Sequence, residues 1–215
     1  MSNFSASKIR NVIFDLGGVL LNINPLLSLQ ELENISGLGQ EALIQSLADA
    51  RVFEKFDTGS LSPAQFRSEL CRILNKPVSD KEIDRVWNLL LLDFPSHRVQ
   101  MLRELRKNYR LFLLSNTNII HYQHYTKVFY ENYGFRMDSL FDRLFLSYEI
   151  GIHKPDAGIY QHVLENAGLE PSECIFIDDS LANIEAAAIQ GITGIHIRDG
   201  HDVTLHFDEG ILRNL

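Results

Sequence analysis

The chain has little cysteine, no long apolar run and no cluster of positive charge, and each shortage excludes something. Two cysteines, Cys71 and Cys174, supply neither a disulfide framework nor a zinc site. No apolar stretch approaches the roughly 20 residues that a membrane helix needs. The opening MSNFSASKIRNVIF has no long apolar core of the signal-peptide kind. A cytoplasmic protein without a membrane partner is therefore expected. The net charge is −8, and no basic run offers a footprint for a phosphate backbone, which argues against a nucleic-acid partner. A small anionic ligand would need a local positive group, and Lys154 is the candidate. Internal repeats and low-complexity segments are absent from the sequence.

What is present is an ordinary globular composition, with 45% hydrophobic and 22% charged residues in 215. That length accommodates one α/β domain with an insertion, or two small domains. Five apolar runs read as buried strands: 11–14, 110–114, 143–147, 174–177 and 193–197. Helical patterns separate most of them, so a mostly parallel sheet covered by helices is expected. Ligands of such sheets bind at the carboxyl ends of strands, which directs attention to Asp15, Ser115, Ser147, Asp178 and Asp179.

About 95 residues separate the first two runs, far more than one crossover requires. Residues 26–92 read as almost entirely helical. One helix opens with Ser62 as N-cap, Pro63 at the first helical position and Gln65 closing a capping box, with Phe66, Leu70, Ile73 and Leu74 as its apolar face. A second repeats the device with Ser79 and Glu82, its face being Ile83, Val86, Trp87, Leu90 and Leu91. Packed together, these stripes would form a small bundle over the carboxyl edge of the sheet. Two later helices end at Gly168 and Gly191. The last 15 or so residues carry no clear pattern.

Four segments fall at strand ends: FDLGGVLLN, LLSNTN, IGIHKPDAGIY and FIDDSLANIEAA. Each alone reads as turn or cap chemistry, but their order and positions together make chemical sense. A carboxylate such as Asp15 is a usable covalent nucleophile. Its attack on a phosphate dianion gathers negative charge, which a hard, oxygen-preferring cation such as Mg²⁺ relieves. Asp15 and Asp179, on neighbouring strand ends, could share that ion. Ser115 and nearby amides could bind phosphate oxygens, and Lys154 adds a point charge, or pairs with Asp15 when substrate is absent.

These four segments resemble the motifs of the haloacid dehalogenase-like hydrolase superfamily, spanning Asp15 to Asn183. The insertion resembles its helical C1-type cap. The resemblance implies an α/β fold with a Rossmann-like parallel sheet core, residues 1–22 and 93–215, and an inserted helical cap, residues 23–92. It implies a Mg²⁺-dependent phosphatase that hydrolyses a small phosphorylated metabolite, with a sugar phosphate such as a hexose 1-phosphate favoured, through an aspartyl-phosphate. On that basis Asp15 is the nucleophile and a Mg²⁺ ligand, and Gly17 offers its backbone carbonyl to the metal. Ser115 with the Asn116 amide binds the phosphoryl group, and Lys154 neutralises nucleophile and phosphate. Asp179 is the acidic Mg²⁺ ligand, Asp178 acts through its neighbours or a water, and Asn183 orients that surrounding shell.

Gly17 departs from the pattern, because phosphatases of this superfamily usually carry an Asp there as general acid and base. Such help is typically worth about 10²–10⁴-fold. Three explanations compete: a cap residue or water takes the role, the leaving group needs little protonation, or the protein binds a phospholigand without turnover; the intact Asp15, Lys154 and Asp179 favour the first two. A metal-independent 2-haloacid dehalogenase would use the same aspartate against carbon, but the Asp178–Asp179 pair weighs against it.

Other features read as less specific. His121 and His124, three apart on a helix, read as a solvated face rather than a metal pair. Tyr122, Tyr125, Phe129 and Tyr130 read as core packing or a subunit contact. His153 lies beside Lys154 and could approach substrate, and Glu54, Lys55 and Asp57 in the cap segment FEKFDTG are candidates for specificity.

Overall fold

The apolar runs form one sheet in the structure, a computed structural model that describes residues 8–198 and 200–213. The strands are β1 (Asn11–Phe14), β2 (Arg110–Ser115), β3 (Arg143–Leu146), β4 (Cys174–Asp178) and β5 (Thr193–His196). All are parallel, in the order β3-β2-β1-β4-β5. Each lies on an expected run; β1 matches it, and the other four end one residue off. β2 and β4 continue to Ser115 and Asp178, while β3 and β5 stop at Leu146 and His196. The chain steps outward from β1 to β2 and β3, then returns to lay β4 on the other side of β1. Such a reversal opens a crevice beyond the carboxyl ends of the two central strands.

Between β1 and β2 come α1 (Pro25–Ser36), α2 (Gln40–Ala50), α3 (Val52–Asp57), α4 (Pro63–Leu74), α5 (Asp80–Asn88) and α6 (Ser96–Leu105). At α4 the capping box is complete, with the Ser62 side chain and Gln65 satisfying each other's backbone N–H. At α5 only half forms: Ser79 accepts from the Glu82 N–H at 3.3 Å, but the Glu82 carboxylate is taken by Arg85 at 2.6 Å. Helix α5 stops at Asn88, so Leu90 and Leu91 leave the expected apolar stripe. They belong to the return strand of chain instead. Ile23 bridges Leu91 in antiparallel fashion, Asn24 N–H donates to Leu90 O at 2.8 Å, and Leu92 N–H donates to Asn22 O at 2.9 Å. The two chain crossings between the insertion and the sheet therefore run side by side.

The insertion has its own apolar cluster. Leu43, Val52, Phe56, Phe66, Leu70 and Val86 meet in it, and Ile120 enters from the sheet-bearing part of the chain. Phe66 is central, stacked on Phe56 at 4.0 Å and tilted against Trp87 at 5.0 Å. After β2 come α7 (Ile119–Tyr133), α8 (Ser147–Ile150), α9 (Ala157–Ala167) and α10 (Leu181–Ile189).

Successive strand residues alternate between two buried faces. Val12, Phe14, Leu113 and Ile177 pack under α6 and α7 through Leu102, Tyr125 and Phe129. Ile13, Leu114 and Phe176 pack against α9 and α10 through Ile159, Val163 and Ala187. Of the α7 aromatics, Tyr125 and Phe129 are core, while Tyr130 is 56% exposed. The unpatterned tail forms a short hairpin, β6 (Phe207–Asp208) and β7 (Ile211–Leu212). It buries Val203, Phe207 and Leu212 against the first face. The first seven residues, residue 199 and the last two of the expected core segments lie outside the described residues.

Removing the Phe66 ring leaves a cavity at the centre of the insertion's core. Phe66→Ala is expected to lose about 3–5 kcal/mol of stability, measured by urea denaturation.

Candidate active site

The ladder of β1 continues one residue past the strand, where Asp15 N–H donates to Ile177 O at 2.8 Å. By the register this puts Asp15 level with Asp178 at the end of β4 and with Leu114 of β2, one residue short of Ser115. The chain then turns tightly, with the N–H groups of Leu20 and Leu21 both donating to Leu16 O at 2.8 Å. Gly18 has a φ of +73° in this turn, and any β-carbon there would collide with the Asp179 carboxylate. Glycine thus lets Asp179 lie against the backbone that follows Asp15. Gly17 does not need a positive φ. A β-carbon on Gly17 would lie 3.2 Å from Ile23 Cδ1, so Ile23 fills the corner that a side chain at this position would enter.

Lys154 reaches this point from the loop before α9. Its Nζ donates to Asp15 Oδ1 at 2.6 Å and Asp178 Oδ2 at 2.7 Å, and its side chain is 1% exposed. The backbone behind it is fixed by Asn116, whose amide nitrogen donates to Lys154 O at 2.9 Å while its amide oxygen accepts from Lys154 N–H at 2.8 Å. Ser147 serves the same loop: its Oγ accepts from Thr117 N–H at 2.9 Å and donates to Thr117 O at 3.0 Å. Both side chains brace the loop that carries Ser115.

Asp178 is fully buried and well satisfied. Besides Lys154, it accepts from Ser180 N–H at 2.8 Å and from Asn183 Nδ2 at 3.0 and 3.1 Å. Asp179 is more open, and only its backbone carbonyl is engaged by His196, at 3.0 Å. Oxygens of Asp15, Asp178 and Asp179 lie within 4.8 Å of one another.

The electrostatics follow from this crowding. Burial pushes the Asp15 carboxyl up to about 7; Lys154 pulls it down and Asp178 pushes it up further. Burial works to lower the Lys154 ammonium, but the two carboxylates outweigh it and hold it above its ordinary value. Asp179 is raised by burial and by the charge of Asp178. Three carboxylates share one ammonium, so negative charge is in excess. An all-oxygen donor set with uncompensated charge fits a hard divalent cation such as Mg²⁺, and among the described residues no thiolate or imidazole joins the cluster.

The insertion closes over one side of this site. Asn118, the N-cap of α7, accepts from Trp87 Nε1 at 3.4 Å and donates through Nδ2 to Asp57 Oδ1 at 2.9 Å. Gly59 packs on the carbonyl of Tyr148, with no room for a β-carbon. His153 places Nδ1 2.8 Å from Lys154 O and faces Glu54 at 3.7 Å. Burial pushes the Asp57 carboxyl up to about 6, although Asn118 and His153 both pull it down. His121 does not lie on a solvated face. It stacks on Trp87 at 4.8 Å with Nε2 3.1 Å from Trp87 O, and burial lowers it to about 4. Its helix is the one on which the insertion rests, which the spacing of two histidines does not disclose. His124, one turn along, is half-buried. By sequence, Trp87 is placed only in an apolar helix face and Asn118 is not singled out. Asn118 could be seen as an N-cap, but its partners come from residues distant in the chain. Lys55 points elsewhere, to Ala50 O at 2.8 Å.

A model of the haloacid dehalogenase-like hydrolase family matches residues 9–191. The chain belongs to that family. Over 194 residues it is 25% identical to the D-ribitol-5-phosphate phosphatase of Bacteroides thetaiotaomicron, covering 90% of this chain and 94% of that one. It is 28% identical over 188 residues to the sesquiterpene phosphatase of Aspergillus oryzae, covering 87% and 89%. A family enzyme of Bacteroides thetaiotaomicron, solved with magnesium and inorganic phosphate, superposes with a TM-score of 0.84 at 34% identity over 93% of this chain and 100% of that one.

Two outcomes follow from the charges. Lys154→Met leaves two buried carboxylates facing each other and is expected to cost about 3–5 kcal/mol; adding Asp178→Asn should return part of it, both read by urea denaturation. Asp57 binds a proton more tightly folded than unfolded, so its contribution to stability is lost as pH rises from about 4 to 6. Relative to the parent, Asp57→Asn should therefore gain stability across that window in thermal melts.

Proposed function

We propose that the protein is a Mg²⁺-dependent phosphatase acting on a small phosphomonoester. The observation that carries this reading is the juxtaposition of Asp15, Lys154 and Asp179 at the ends of β1, β4 and the loop before α9. In this reading Asp15 attacks phosphorus, the bond to the leaving oxygen breaks, and water later releases phosphate from the aspartyl-phosphate. Lys154 holds Asp15 and offsets charge on the phosphoryl group. The Ser115 hydroxyl and the Asn116 backbone amide bind phosphoryl oxygens, in a loop held rigid by Ser147 and the Asn116 side chain. Asp15, Asp179 and the Gly17 carbonyl would hold Mg²⁺, which when bound would neutralise charge shared by nucleophile and phosphate. Asp178 and Asn183 orient Lys154 and the start of α10.

A polar substrate such as a sugar or polyol phosphate suits the opening beside Asp179. That cleft of about 540 Å³ is lined by Gly18, Arg98, Asp179, Arg198, His201 and Asp202. The phosphatase names of two full-length relatives support the same reaction, and ribitol 5-phosphate in one name supports the polar class. The same core with Mg²⁺ and phosphate in a similar structure supports the cofactor.

The test is phosphate release from a panel of hexose 1-phosphates, polyol phosphates and nucleotides, with Mg²⁺ and with EDTA. Turnover of at least one ester only with Mg²⁺ is expected. Asp15→Asn should abolish it while leaving the thermal midpoint in place, and Asp179→Asn should raise the Mg²⁺ concentration required. Halide release from a 2-haloacid in EDTA, with no phosphate release from any ester, would overturn the reading.

A further inference from the structure

Hydrolysis of an alkyl phosphate needs a proton for the departing oxygen, and the carboxylates at the strand ends are otherwise occupied. Asp15 is the nucleophile in the phosphatase reading. Asp178 is buried and satisfied by Lys154, Asn183 and Ser180. Asp179 lies against Gly18 among the oxygens suited to a cation. The corner beyond Gly17 is filled by the apolar end of Ile23.

Two carboxyls lie on the side that the insertion covers; Glu54 is taken by Arg51 and faces His153, which together hold it below its ordinary value, and that leaves Asp57. Asp57, the last residue of α3, receives its one side-chain hydrogen bond among the described residues from Asn118, through Oδ1 at 2.9 Å. Its second oxygen is left without a donor. Two loops link it to the residues of the proposed phosphate site. Asn118 follows Ser115, Asn116 and Thr117 directly, and His153, close enough to influence the charge on Asp57, directly precedes Lys154. Lys154 is itself bound to Asn116 on one side and Asp15 on the other. Asp57 is thus held over the loops that present Ser115 and Lys154. It is only partly covered from solvent, yet its carboxyl is raised to about 6 by desolvation. A carboxyl at about 6 can both give up and take back a proton near neutral pH, which suits both halves of a proton shuttle.

We propose that Asp57 donates the proton to the leaving-group oxygen and then takes one from the attacking water, the task that Gly17 cannot perform. This rests on the phosphatase reading. In the first step Asp15 forms a bond to phosphorus, the bond from phosphorus to the alkyl oxygen breaks, and the Asp57 proton moves to that oxygen, releasing an alcohol and leaving Asp57 ionised. In the second step water bonds to phosphorus, the bond to Asp15 breaks, and the water proton returns to Asp57. Atoms, charge and protons balance without another reactant.

The test compares two esters in the full-length protein with Mg²⁺: ribitol 5-phosphate, whose alkoxide must be protonated, and p-nitrophenyl phosphate, whose leaving group departs without a proton. Asp57→Asn keeps the shape and an oxygen to accept from Asn118. It is expected to lose about 10²–10⁴-fold in kcat/KM, which reads the leaving-group step alone, on the alkyl ester and less than about tenfold in kcat/KM on the aryl ester. A joint that merely holds the insertion down would change both alike, so equal losses, or none, overturn the proposal. Asp57→Glu keeps the acid and should retain more alkyl-ester activity than Asp57→Asn; the reverse order also overturns it. If wild type cleaves only the aryl ester, the protein has no working acid and the proposal fails while the phosphatase reading stands. If wild type cleaves neither, across the wider panel as well, the phosphatase reading fails first.

Discussion

The buried ammonium of Lys154 is the contact on which the site depends. Taken out of water, it is tolerable only because Asp15 and Asp178 meet it from two strand ends. The reverse also holds, since two carboxylates at the sheet's edge could not approach each other without it. One lysine therefore ties together β1, β4 and the loop before α9. Asn116 carries the tie to β2 by clamping the lysine backbone. The remaining negative charge is what suits the cluster to a divalent cation, so assembly of the site and its affinity for a cation share one electrostatic origin.

Around that point the fold supplies rigidity of different kinds. Parallel strands with both faces buried fix the positions of Asp15, Ser115 and Asp178 to the register of the sheet. The loops that follow are held by side-chain hydrogen bonds, with Ser147, Asn116 and Asn183 each satisfying a neighbour. The insertion meets the sheet-bearing part through Asn118, Trp87 and His121, where polar groups are mutually satisfied inside an aromatic setting. Its position over the site is thus specified by direction-dependent bonds as well as by apolar burial of Ile120.

Much of this could be read in the sequence because it is local. Strand runs, the Ser62 cap and the glycine stops at Gly168 and Gly191 depend on neighbours a few residues away, and they appear where expected. The strand-end rule also brought Asp15, Ser115 and Asp178 to one crevice. What escaped was contact across distance. His121 has the spacing of a surface residue but lies under the insertion, against Trp87. The stripe of α5 was carried two residues too far, because Leu90 and Leu91 are apolar for a different reason: they pair with the chain entering at Ile23. Ile23 itself fills the space beside Gly17, a steric fact with no signature in either residue. The tail lacked periodicity because a two-residue hairpin is too short to display any.

The paired passage of chain at Ile23 and Leu91 has a consequence for the history of such a molecule. Because entry and exit lie next to each other and hydrogen-bond together, the sheet meets the inserted helices as it would meet an ordinary hairpin. The length of what hangs beyond that point adds only a slowly growing entropy of closure. A different bundle, or none, could be grafted at the same two residues without altering the register of a single strand. Recognition and proton handling can then diversify as a module while the charged centre beneath stays unchanged.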